Sequence, residues 1–194
     1  MKKLLLIKGS QDIEDSEIWI IQNICLQYNL ECIRKDIITN ADLDTVLADA
    51  TPEYDYMYLA THWCEASWWS SGEEGVSVTW ESFSQSLCAS DIMKQGSILF
   101  HSCCKWWLNQ VCYTMFSNCN KLDYICWPRQ NVYPIELTTA FSLFIYYIEV
   151  KNIDPVRSAE KVLQATDVRF VCHDRLEVIT TTDYCNFACW IRAE

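Results

Sequence analysis

Short apolar runs alternate with helical stripes along this chain. Leu4 to Ile7 is a continuous apolar run, the mark of a strand buried on both faces. Lys8 to Asp15 reads as a polar loop, and Ser16 as the N-cap of a helix whose Ile18, Ile21, Cys25 and Tyr28 share one face. Leu30 to Arg34 predicts a second strand. Asn40 then caps a helix with Leu43, Val46, Leu47 and Ala50 inward. Tyr54 to Thr61 predicts a third strand, which ends at His62. Residues 62–79 read as a long loop rich in Trp, Glu and Gly, and loops of that length are often functional. A helix follows from about Trp80 to Met93, then the apolar strand Ser97 to Ser102, which runs into Cys103 and Cys104. A helix over roughly 105–118 leads to a strand at Asp123 to Trp127, ending at Pro128. Leu137, Ala140, Phe141, Phe144, Ile145 and Ile148 form a helical stripe, and Asp154-Pro155 opens one more helix. The last 30 residues are ambiguous by pattern, with strands expected at 168–172 and 176–180.

Alternating short apolar strands and helices predict an α/β fold. The expected form is a three-layer αβα sandwich with a mostly parallel sheet. No internal repeat, low-complexity segment or boundary divides residues 1–194, so one domain is expected.

Composition narrows the function classes. Hydrophobic residues make up 51% of the chain, enough to exclude a disordered protein. The net charge of −11 argues against nucleic-acid binding, which needs clustered Lys and Arg. No apolar run approaches the roughly 20 residues of a membrane span. The apolar run after Lys3 is also too short for a secretion signal. A cytoplasmic protein with reduced thiols is therefore expected, most of its 12 cysteines serving as small core residues.

In open α/β sheets, functional groups gather beyond the carboxyl ends of the strands. Lys8, Gly9, Ser10, Gln11 and Asp12 follow the first strand, and His62 the third. Cys103 and Cys104 follow the fourth, and Trp127, Pro128, Arg129 and Gln130 the fifth. A His and a Cys at the ends of adjacent strands make a candidate dyad, in which the base takes the thiol proton and the thiolate attacks a carbonyl.

The segments Asp55-Tyr56-Met57-Tyr58-Leu59-Ala60-Thr61-His62 and Gly96-Ser97-Ile98-Leu99-Phe100-His101-Ser102-Cys103 resemble the caspase-like cysteine peptidases, nearest to the CHAT proteases. The stretch from Leu122 to Pro128 and on to Ala140-Phe141 is similar to the strand, loop and helix that follow the Cys there. The resemblance covers about residues 4–150. It implies a caspase-like fold, with His62 as general base and Cys103 as nucleophile. Cys104 is the alternative nucleophile if the strand end slips by one residue. It also implies an oxyanion hole of backbone N–H groups at Cys103 and Trp63. The family usually carries Gly directly after the His, and here Trp63 stands there. The loop after the first strand helps line the substrate pocket in such peptidases, which makes Asp12 a substrate-binding candidate, with Trp127 beyond the fifth strand. Acids at Asp12, Glu14 and Asp15 lean toward a basic residue before the cut, whereas Lys8 would favour Asp. A protein substrate is implied, cleaved in a regulated or defence-related response, with a separate activating or sensor protein.

Other residues also carry candidate chemistry. His101 lies two residues before Cys103 and shares its strand face, but an in-strand His reads first as a core residue. His173 reads as structural or exposed. Trp63, Trp68, Trp69, Trp80, Trp106 and Trp107 would wall an aromatic cleft if the two loops met. Cys172, His173, Cys185 and Cys189 lack a standard zinc spacing, so no metal is expected. The first strand is followed by no phosphate-binding glycine motif, and no cofactor is expected. Two other functions stay open. One is a catalytically inactive caspase-like binding or signalling module, for which Trp63 is the marker. The other is a flavodoxin-like signalling domain with purely structural cysteines.

Overall fold

The computed structural model describes residues 1–49, 53–63, 67–70, 75–102 and 108–184. Among these, one sheet has six strands: β1 (Lys3–Lys8), β2 (Glu31–Asp36), β3 (Tyr54–Ala60), β7 (Met93–His101), β8 (Leu122–Pro128) and β9 (Phe170–Asp174). Their spatial order is β2-β1-β3-β7-β8-β9. The first five are parallel, and β9 runs antiparallel to β8. A separate three-stranded antiparallel sheet is built from β4 (His62–Trp63), β5 (Ser67–Trp69) and β6 (Ser77–Thr79).

The main sheet is sandwiched because its strands are apolar on both faces. Along β1, Leu4 and Leu6 pack toward one core while Leu5 and Ile7 pack toward the other. This is the period-2 alternation of a strand, here with no polar face left over. Helices α1 (Asp15–Gln27), α5 (Pro134–Ile145) and α6 (Pro155–Thr166) cover the Leu4 side. Helices α2 (Asn40–Ala48), α3 (Trp80–Ala89), α4 (Leu108–Asn118) and α7 (Arg175–Tyr184) cover the Leu5 side. The protein is thus an α/β three-layer αβα sandwich with a mostly parallel sheet. None of the helices among the described residues is long and apolar enough to cross a membrane.

Several local expectations are corrected. Glu14, not Ser16, is the N-cap of α1, and the Ser16 hydroxyl donates to the Glu14 carboxylate at 2.8 Å. Thr39, not Asn40, caps α2. Its hydroxyl accepts from the Asp42 N–H at 3.2 Å while the Asp42 carboxylate accepts from the Thr39 N–H at 2.8 Å, a reciprocal box. Asp154 caps α6 as its sequence suggests, accepting from Val156 and Arg157. Residues 176–180 are helical rather than extended. The β-branched run there favours a strand, but the Asp174 carboxylate accepts from the Leu176 and Glu177 N–H groups and starts a helix. Val178 then buries against the α4 side of the core. The 62–79 segment is not all loop, since β4, β5 and β6 lie within it.

His101 is a core residue. It is 1% exposed, stands edge-on to Trp80 at 5.1 Å, and both ring nitrogens lack a hydrogen-bond partner among the described residues. Burial pushes its imidazole down to about 3. The unfolded chain takes up this proton near pH 6.5 and the folded chain only near pH 3, so folding stability falls as pH drops through that window. We expect His101→Phe to lose fewer degrees of melting temperature than the wild type between pH 6.5 and pH 4. Coincident pH profiles would show that His101 is not held neutral.

Candidate active site

The candidate site is built where chain direction across the sheet reverses. From β1 the chain moves to β2 on one side, and β3 returns to pair with β1 on the other. Loops leaving the carboxyl ends of such strands diverge and open a crevice. The loop after β1 and the His62 hairpin therefore meet beside each other. Lys8 pairs with Ala60, and the Gly9 N–H donates to the Ala60 carbonyl at 2.7 Å.

Gly9 is required there by space. A Cβ at this position would stand 2.9 Å from Trp68 Cζ3 and 3.1 Å from both Thr61 Cβ and Thr61 Oγ1. Trp68 is fully buried under the hairpin, edge-on to Phe83. The Thr61 hydroxyl contacts the carbonyls of His62 at 3.2 Å and Trp69 at 3.0 Å, tying β4 and β5 to the end of β3. We expect Gly9→Ala to cost about 1–3 kcal/mol in a denaturant melt, since the displaced neighbours are core and backbone-anchoring groups. An unchanged melt would mean that the hairpin yields freely.

His62 is half-exposed at the end of β3. Its Nε2 pairs with Asp12 Oδ2 at 2.8 Å, and its ring lies 5.1 Å from that of Trp69. Buried Ser10 donates its hydroxyl to the other Asp12 oxygen. Asp12 thus takes Nε2 and leaves Nδ1 as the ring nitrogen for a second partner. Asp12, the residue expected at the substrate pocket, directs its carboxylate to His62 and Ser10. Asp15 is committed as well, to Lys8 and Arg34 at 3.0 Å each. Hydrogen bonds from Lys8 and Arg34 hold the Asp15 carboxyl below its usual value.

The neighbouring strand is β7. Leu59 of β3 pairs with His101 of β7, and the Ser102 N–H donates to the Leu59 carbonyl at 3.1 Å. Cys103 and Cys104 come next in sequence and lie outside the described residues, as do Trp106 and Trp107. Trp63 is paired with Trp68 across β4 and β5.

The tryptophans divide. Trp68 and Trp80 are core residues, and exposed Trp69 flanks His62. Trp127 is corrected from a substrate contact to a core residue. It is 1% exposed, packed among the residues beneath α4, and stacked on His173 at 4.5 Å. His173 is structural, with burial and Arg129 pushing its imidazole down to about 4. Cys185 and Cys189 lie outside the described residues, which hold no group of three or more metal-donor side chains.

One polar residue near the site was missed in the sequence. Glu17 is 5% exposed, and Tyr58 donates to its carboxylate at 2.8 Å. Ser102, the residue before Cys103, supplies a second side-chain hydrogen bond. Desolvation is the larger influence and raises the Glu17 carboxyl above its ordinary value. The fold therefore loses stability from this group as pH rises from about the unfolded value of 4.5 through the raised folded value. Glu17→Gln keeps an acceptor for Tyr58 and removes the charge. We expect it to melt a few degrees above wild type at pH 7–8 and together with it below about pH 4. A lower melting temperature at pH 7–8 would show that the ionised carboxylate favours the fold.

No protein-family model matches the chain, and no curated protein matches its sequence. The resemblance to caspase-like peptidases is carried by the residues quoted for it above.

Proposed function

We propose that this chain is a caspase-like cysteine endopeptidase, acting through a Cys103–His62 dyad on a protein partner in a regulated or defence-related response. The observation that carries this reading is the Asp12–His62 pair at the carboxyl end of β3, beside the strand that leads through Ser102 to Cys103. Asp12 holds the proton on Nε2, so the lone pair at Nδ1 is the base. Nδ1 takes the proton of the Cys103 thiol, and the thiolate sulfur attacks the scissile carbonyl carbon. Backbone N–H groups at Cys103 and Trp63 stabilise the oxyanion. The C–N bond breaks, and the imidazolium returns its proton to the leaving amine. Water then hydrolyses the thioester. Asp12 is a positioning residue in this scheme, and Trp69 is a contact for the substrate chain. The gate, in this reading, is a separate activating or sensor protein. Cys104 replaces Cys103 if the strand end is shifted by one residue.

A second reading is favoured by Trp63. A bulky residue directly after the His, where the family usually has Gly, fits an inactive module that uses the exposed Trp69 and His62 surface for binding.

The test is limited alkylation of the folded protein across pH 5–9, with peptide mass mapping. We expect Cys103 to label first, at a pH well below the ordinary thiol value of about 8.5. His62→Ala should lower its rate at pH 6 by at least about 10-fold. Asp12→Asn should lower it by a smaller factor and move the profile to higher pH. Label on Cys104 with the same dependence on His62 keeps the mechanism and moves the nucleophile. Slow labelling of all thiols, indifferent to His62, overturns the dyad and leaves the binding module.

A further inference from the structure

Six of the seven described cysteines face another cysteine. The thiols of Cys25 and Cys32, of Cys88 and Cys119, and of Cys126 and Cys172 are near neighbours. In each pair one partner is buried and the other is partly exposed. The strand register defines one pair most sharply. Cys126 of β8 and Cys172 of β9 are directly opposite in the antiparallel ladder.

Their place in the ladder suits a covalent bond. Beyond the strand ends, the Arg129 N–H donates to the Arg169 carbonyl at 2.7 Å, which continues the same register and marks a hydrogen-bonded pair. Pairs alternate in an antiparallel ladder. Trp127 with Val171 is then hydrogen-bonded one pair in from Pro128 with Phe170, and Cys126 with Cys172 is not. Pro128, which has no N–H to give, falls at a non-bonded pair, as this alternation requires. Non-bonded pairs bring Cα atoms to about 4.5 Å, inside the roughly 4.4–6.8 Å range that a disulfide spans.

We propose that Cys126 and Cys172 form a redox-active dithiol that closes to a cross-strand disulfide and fastens the antiparallel edge strand β9 to the sheet. The oxidant is a low-molecular-weight disulfide. Cys172 reaches the surface, whereas Cys126 is fully buried. Burial and the adjoining Cys172 thiol hold the Cys126 thiol far above its ordinary value, so Cys172 is the group that attacks first. The Cys172 thiol loses its proton to solvent, and its sulfur attacks one sulfur of the small disulfide and expels a small thiolate. The Cys126 thiol then gives up its proton, attacks the Cys172 sulfur of the mixed disulfide and expels the second small thiol. Two protein thiols are oxidised, and one small disulfide is reduced to two thiols. The new bond joins the ends of the excursion through α5 and α6, which constrains the unfolded chain.

The full chain is equilibrated in glutathione buffers from reducing to oxidising, quenched in acid, unfolded, alkylated and digested. We expect a Cys126–Cys172 linked peptide, lighter by two hydrogens than the two thiol peptides together, to grow as the buffer becomes oxidising and to vanish on added reductant. Cys172→Ser should remove it while the circular dichroism of the fold is kept. Cys126→Ala gives the same result without a hydroxyl in the core, should the serine variant fail to fold. The proposal is overturned if both cysteines stay fully alkylated in oxidising buffer. It is also overturned if Cys126 links to buried Cys112 instead, or if Cys172 stops at the glutathione adduct.

Discussion

Burial of both faces of the main sheet is the constraint from which the rest follows. With Leu4 and Leu6 packed on one side and Leu5 and Ile7 on the other, β1 has no face left for polar groups. The same holds for β3, where Tyr58 and Leu59 enter opposite cores. Polar side chains are therefore driven to the strand ends, where the chain leaves the sandwich. Where order reverses, between β1 and β3, two loops diverge from neighbouring strands at the same end of the sheet. That end holds Asp12 and His62. The close approach depends in turn on the missing side chain of Gly9, which lets the β1 loop settle against Trp68 and Thr61.

The sandwich was legible in the sequence because its signal is repeated. Each buried strand is an apolar run, and each covering helix is a stripe. What failed to show were features set by one tertiary contact. The strand-like composition of residues 176–180 yields to Asp174, whose carboxylate starts a helix, and to the apolar surface of α4. The small sheet of β4, β5 and β6 is hidden because strands of two or three residues carry no usable alternation. His62 was legible because it ends an apolar run. The pairing of Asp12 with His62 was not, because that contact crosses 50 residues and depends on the β1–β3 pairing. Glu17 was hidden for another reason. An acid in the first turn of a helix is ordinary dipole chemistry on a surface, and nothing local shows that Tyr58 and Ser102 will enclose it.

Charge in the β1 loop teaches the same point in electrostatic terms. Counted along the chain, the segment is acidic and suggests a pocket for a basic residue. In space, Asp12 faces His62 while Asp15 lies between Lys8 and Arg34. Carboxylates already held by cations and hydroxyls offer little attraction to a further charge. Glu14 accepts from the Ser16 hydroxyl and is exposed, so solvent and salt screen it. Local charge count therefore overstates the negative field of this loop, whose exposed aromatic surface is Trp69 beside His62.

The cysteines mark the clearest gap between composition and arrangement. A count of 12 in a sequence without zinc spacing fits small, soft core residues, and burial of Cys25, Cys112, Cys119 and Cys126 agrees with that. Burial alone, however, gives no reason for thiols to meet in twos. Cys112 is the exception that makes the contrast, a core thiol raised chiefly by burial. The paired ones come from separate elements: α1 with β2, the end of α3 with the end of α4, and β8 with β9. A core needing only volume at those positions is satisfied by alanine or valine on either side. Two facing thiols add what those residues lack, the capacity to join two elements by oxidation, and Cys126 opposite Cys172 places that capacity on the edge strand of the sheet.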